Sequence, residues 1–171
     1  MVDLHYPFTE EEFRLANVAW GCNCGPSALA FVLQKPLEEA RRAIPHFEER
    51  GYTSPSMMKA ALQKLKIAFQ SVPCPDTSCS EYLPLMFGER PALVRIQFTG
   101  PWTRPGAHPK AAYRHTHWIV AWDRARGDWR IFDCNGGIQS AELWEFEILK
   151  RHLIPPRGDG GWYPTHIWRT A

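Results

Sequence analysis

The spacing of apolar and polar positions changes character midway along the chain, from helical in the first half to strand-like in the second. Thr9 followed by Glu10, Glu11 and Glu12 is a capping-box start and predicts a short helix through about Ala16. After Asn23-Cys24-Gly25-Pro26-Ser27, the residues Ala28, Leu29, Phe31, Val32 and Leu33 give a nearly all-apolar helix, which must be buried on most faces. Pro36 opens a polar helix through about Ile44. Ser54-Pro55 opens another, in which Met57, Met58, Ala61, Leu62 and Leu65 recur at helical spacing.

From Ile67 the period shortens. Ala68 to Val72 predicts a strand ending at Pro73, and Pro91 to Phe98 a stronger one. Gly100 to Arg114, rich in Pro, Gly and charge, is a long connection of the kind used for binding loops and lids. His117 to Trp122 and Trp129 to Asp133 are β-rich runs joined by the turn-like Asp123 to Asp128, which predicts a hairpin. Leu143 to Leu153 is expected to be helical and Tyr163 to Arg169 a final short strand. Helices first and an antiparallel sheet afterwards is an α+β arrangement, expected as a single domain over residues 1–171.

Composition narrows the function classes. With 44% hydrophobic and 22% charged residues the chain matches an average globular protein. A net charge of +2 with scattered Lys and Arg offers no nucleic-acid footprint, and no stretch is apolar for long enough to predict a membrane-spanning helix. Met1 to Pro7 lacks the basic and apolar regions of a signal peptide, so a reducing, cytoplasmic setting is expected. Five cysteines cannot all pair within one chain, which turns the question from cross-linking to reactivity or metal binding.

Cys24 has the placement of a nucleophile. At a helix N-terminus the dipole and free backbone N–H groups stabilise a thiolate, and Gly25 clears space for a carbonyl to approach. A buried structural cysteine would have the same surroundings, so the argument depends on partners. His117, heading an apolar strand after a loop, suits a general base, and Asp133, closing the next strand, suits the group that orients it. Asn135 is the alternative orienter and His115, two residues before His117, the reserve base. Trp102, His115 and Trp118 are candidates to wall a substrate groove, and His108 is a possible loop contact.

At these residues the sequence resembles the papain-like cysteine peptidases, in the branch of the double-glycine leader peptidases that process bacteriocins. Asn23 to Ala30 looks like the nucleophile motif of that group, Thr53 to Ile67 is similar to a following helix, and His117 to Val120 with Ile131 to Asp133 resemble its base and orienter strands. The likeness spans roughly residues 17 to 137. It implies a papain-like fold, with the N-terminal helical part packed on the antiparallel sheet. It also implies a Cys24-His117-Asp133 triad that hydrolyses a peptide or isopeptide bond through a thioester. No cofactor is implied, and the partner is a peptide or protein substrate. The family places a Gln six residues before the nucleophile as oxyanion donor, where this chain has Val18. Asn17 and Asn23 are the substitutes at hand, beside the backbone N–H of Cys24. The family's exporters carry such a domain on a transporter, which is not expected in this chain.

Two other readings compete. Cys22, Cys24, Cys74 and Cys79 supply enough thiolates for a structural zinc, which would consume the nucleophile, although neither pair has the commoner two-residue spacing. A papain-like frame could also serve as a binding module without turnover.

Overall fold

The computed structural model describes residues 4–21, 23–74, 83–100, 115–156, 158–159 and 161–171. Thr9 makes the expected reciprocal capping box with Glu12, and α1 (Glu10–Trp20) runs a full turn beyond Ala16, to Gly21. Asn17 and Val18 are thereby helical rather than in a loop. The all-apolar segment is α2 (Cys24–Leu33), buried from Cys24 to Val32. α3 (Leu37–Ala43) follows Pro36, a single turn α4 (Phe47–Arg50) follows His46, and α5 (Pro55–Lys64) is capped by Ser54, whose hydroxyl accepts from the Met57 N–H.

The strands are β1 (Phe69–Val72), β2 (Ala92–Phe98), β3 (Thr116–Asp123), β4 (Trp129–Asp133), β5 (Gly137–Ser140) and β6 (Trp162–Thr170), with a short α6 (Leu83–Met86) between β1 and β2. They form one six-stranded sheet in the order β1-β6-β2-β3-β4-β5, and every neighbouring pair is antiparallel. The C-terminal strand is thus an inner strand of nine residues, longer than its sequence suggests. β5 was hidden in the sequence because Gly136-Gly137 gives a turn signal and Gly137 itself starts the strand at φ 73°. The mixed α+β class expected from the sequence is the one observed.

Both faces of the sheet are covered. Leu93, Trp118, Val120, Trp122, Phe132 and Trp168 pack under the N-terminal helices, with Phe31 of α2 stacked on Phe132 at 4.1 Å. The alternate positions, including Val94, Ile119, Ala121, Ile131 and Ile167, pack under the C-terminal helix. That helix is α7 (Ala141–Leu143), which widens into a π-helical stretch (Trp144–Leu153) marked by the Ile154 N–H bonding to the Leu149 carbonyl. Burial on both faces explains why β2 is buried at every position instead of alternately. Among the described residues, no helix is long and apolar enough to cross a membrane.

Candidate active site

His117 is the second residue of β3 and Asp133 the last of β4, so the hairpin brings both to one end of the sheet. They are 7% and 0% exposed, and His117 Nε2 lies 2.9 Å from Asp133 Oδ1. The other carboxylate oxygen accepts the Trp144 indole N–H at 2.8 Å, and Oδ1 also accepts the Asn135 backbone N–H at 2.8 Å. Burial alone would raise the Asp133 carboxyl, but the His117 charge and the bonds from His117, Trp144 and Asn135 outweigh it and hold the group below its usual value. Asp133 is therefore the ionised acceptor of a fully engaged network.

The same geometry decides between the two candidate orienters. A carboxylate only accepts, so Asp133 requires the proton on Nε2 and leaves Nδ1 as the basic nitrogen. Asn135 Nδ2 lies 3.0 Å from Asp133 Oδ1 and 3.3 Å from His117 Nε2. Two donors cannot bond each other, so the Asn135 amide serves Asp133 and not the imidazole. Turning that amide over would set its oxygen against the carboxylate. Asn135 is a second tether on Asp133. His115 is exposed with left-handed backbone (φ 51°), ahead of the first strand residue, so it does not share the inward placement of His117. Its role as reserve base is not supported.

Cys24 is the first residue of α2 and 9% exposed. Its neighbour Gly25 is seated on Thr53, where a Cβ would come within 2.1 Å of Oγ1. The Thr53 carbonyl in turn accepts the Trp118 indole N–H at 2.9 Å. The residues following Cys24 and His117 thus meet through Thr53, which ties the start of α2 to the start of β3. Trp118 is 1% exposed and builds this tie within the core, so it is not a groove wall.

Of the oxyanion candidates, Asn17 is exposed on α1 and Val18, at the position of the expected Gln, is 78% exposed. Asn23 is different. It is 3% exposed and precedes Cys24, makes no side-chain cap bond to α2, and its Nδ2 has no partner among the described residues. Ser27 Oγ and Thr53 Oγ1, also buried at this first turn, are unpartnered in the same way. Buried polar atoms are rarely left so, and a cluster of them around a helix N-terminus suits an anionic or carbonyl oxygen arriving with a ligand.

Cys134 was not singled out in the sequence, since it reads as part of a turn. Its Sγ lies within 4.8 Å of both His117 and Asp133 ligand atoms, which places a thiol beside the imidazole. The four-thiolate zinc reading fares badly: Cys24 and Cys74 belong to the cores on opposite faces of the sheet. Cys22, Cys79, Trp102 and His108 lie outside the described residues. Compared with known protein families and with curated proteins, the chain matches no family model and no curated sequence.

Proposed function

We propose that this chain is a papain-like cysteine hydrolase, with peptide or isopeptide bonds as its substrates and Cys24, His117 and Asp133 as its triad. The observation that carries the reading is the buried His117–Asp133 pair, which protonates Nε2 and reserves Nδ1 for a thiol. Cys24 Sγ gives its proton to Nδ1 and attacks the substrate carbonyl carbon. The resulting oxyanion is held by the Cys24 N–H and by Asn23 Nδ2, the donor beside it that has no partner among the described residues. The imidazolium protonates the leaving amine as the C–N bond breaks, leaving a thioester. Water then adds, its proton going to Nδ1, and the acid departs as the thiol re-forms. Asp133 remains ionised throughout and holds the ring.

Brief iodoacetamide exposure followed by peptide mapping tests this assignment. Cys24 should label faster than Cys74 and Cys134, and His117→Ala should slow it by about tenfold or more, as loss of thiolate does. Labelling of Cys24 at the rate of Cys74, or at an unchanged rate without His117, rejects the triad. His117-dependent labelling of Cys134 instead would transfer the nucleophile to that residue. Turnover is then sought across peptide and isopeptide libraries, and rapid labelling without any turnover would favour a binding module.

A further inference from the structure

Beside the His117–Asp133 pair the molecule carries a cleft of about 480 Å³, whose wall includes Asp133, Cys134 and Asn135. Four aromatic rings also line it, those of Tyr6, Phe8, Phe13 and Phe132, together with Thr9, Glu10, Gly136 and Gly137. We infer that this cleft is a substrate subsite that takes an aromatic side chain of the peptide. This inference rests on the hydrolase reading for its role in turnover but not for binding itself.

Continuity with the proposed site is the first argument. Asp133 and Asn135 belong both to the network around His117 and to the cleft, so an occupant lies against the residues that hold the base. The second is the state of the aromatic lining. Phe132 is a buried floor, stacked on Phe31, and Phe8 packs edge-on against it at 6.0 Å. Phe13, stacked on Phe8 at 5.9 Å, is only half-buried, and Tyr6 is 48% exposed. Rigid rings with uncovered faces give edge and face contacts to one more ring at little cost in entropy.

Charge is the third. The acidic residues of the wall are Glu10 at the exposed rim and the paired Asp133, and among the described residues no Lys or Arg lines the cleft. An acidic side chain would meet like charge, whereas a neutral ring does not. The cleft is also held in shape. Tyr6 Oη accepts the Ile138 N–H at 2.9 Å, and it fills the space where a Cβ on Gly137 would stand, 2.3 Å away. The N-terminal segment is thereby fastened to the start of β5.

The test uses the full chain as Cys24→Ala, so that binding is read without turnover. N-acetyl-phenylalanine amide, its alanine counterpart and its glutamate counterpart are titrated while the amide resonances of Gly136, Gly137 and Ile138 are followed. The phenylalanine probe should shift these resonances saturably and more tightly than the other two. Phe13→Ser should weaken it by about fivefold, the worth of one aromatic pair. Tyr6→Ser, at an exposed position, gives the second reading if Phe13→Ser does not fold. No saturable shift at these amides, equal binding of the phenylalanine and alanine probes, or binding indifferent to both variants overturns the subsite. None of those results touches the iodoacetamide test of Cys24. Conversely, labelling of Cys24 that ignores His117 rejects the hydrolase and leaves this binding standing.

Discussion

Trp144 donates its indole N–H to Asp133 Oδ2 over 2.8 Å, on the oxygen that His117 does not use. The first residue of the π-helical stretch is thus bound to the last residue of β4, and the carboxylate is gripped from both sides. Trp144→Phe keeps the ring and removes the donor. A hydrogen bond to a charged acceptor is worth about 1.5–3 kcal/mol, so unfolding in urea at neutral pH should show a loss of that order.

Acid should unfold the protein partly through this same group. The Asp133 carboxyl is held below its usual value in the folded chain, so its bonds stabilise the fold at pH above the ordinary aspartate value. That contribution disappears as pH falls through the lowered value. Stability measured by urea titration should therefore decline below about pH 4, where an unfolded aspartate begins to hold its proton. Asp133→Asn should be less stable at neutral pH and show a shallower decline in acid. An equally steep decline in that variant would place the acid sensitivity elsewhere.

Gly25 has no room for a side chain, because a Cβ would stand 2.1 Å from Thr53 Oγ1 and 2.4 Å from Thr53 Cβ. Gly25→Ala should cost about 1–3 kcal/mol, as overpacking does, and should disturb Cys24 labelling by tilting the start of α2. The double variant Gly25→Ala with Thr53→Gly should recover part of the stability. Thermal melts of the three proteins check this.

Asn23 separates stability from activity. Its Nδ2 is buried with no partner among the described residues, so Asn23→Leu, which keeps the branched shape, removes a desolvated donor and should leave the melting temperature unchanged or raised. Turnover should fall by about 10²–10³, the usual effect of deleting an oxyanion donor. Parallel loss of stability and turnover would mean that Asn23 is a structural cap.

Phe31 tests the tie between α2 and the sheet. It is fully buried and stacked on Phe132, so Phe31→Ala should destabilise by about 3–5 kcal/mol in chemical denaturation.

The helices were legible in the sequence because their signals are local. Thr9 with Glu12 and Ser54 with Pro55 carry their own caps, and the unbroken apolar run after Cys24 announced burial on all sides. α1 was underestimated because nothing between Ala16 and Gly21 breaks it. β5 and the inner place of β6 were not legible, since strand pairing joins residues far apart. The pairing of Val94 with Ile167 is one case.

By itself the sequence determined that helices precede an antiparallel hairpin, that Cys24 starts a buried helix, and that His117 and Asp133 occupy strand ends. Those are consequences of local propensity and period. Only the tertiary structure decided that Asp133 rather than Asn135 holds the imidazole, because that choice depends on which lone pairs and protons face each other across β3 and β4. It likewise brought Trp144 onto the carboxylate, buried Asn23 Nδ2 with no partner among the described residues, and set Cys134 beside His117. Each of these is a relation between separate elements, fixed by packing on both faces of the sheet, and no window of neighbouring residues contains it.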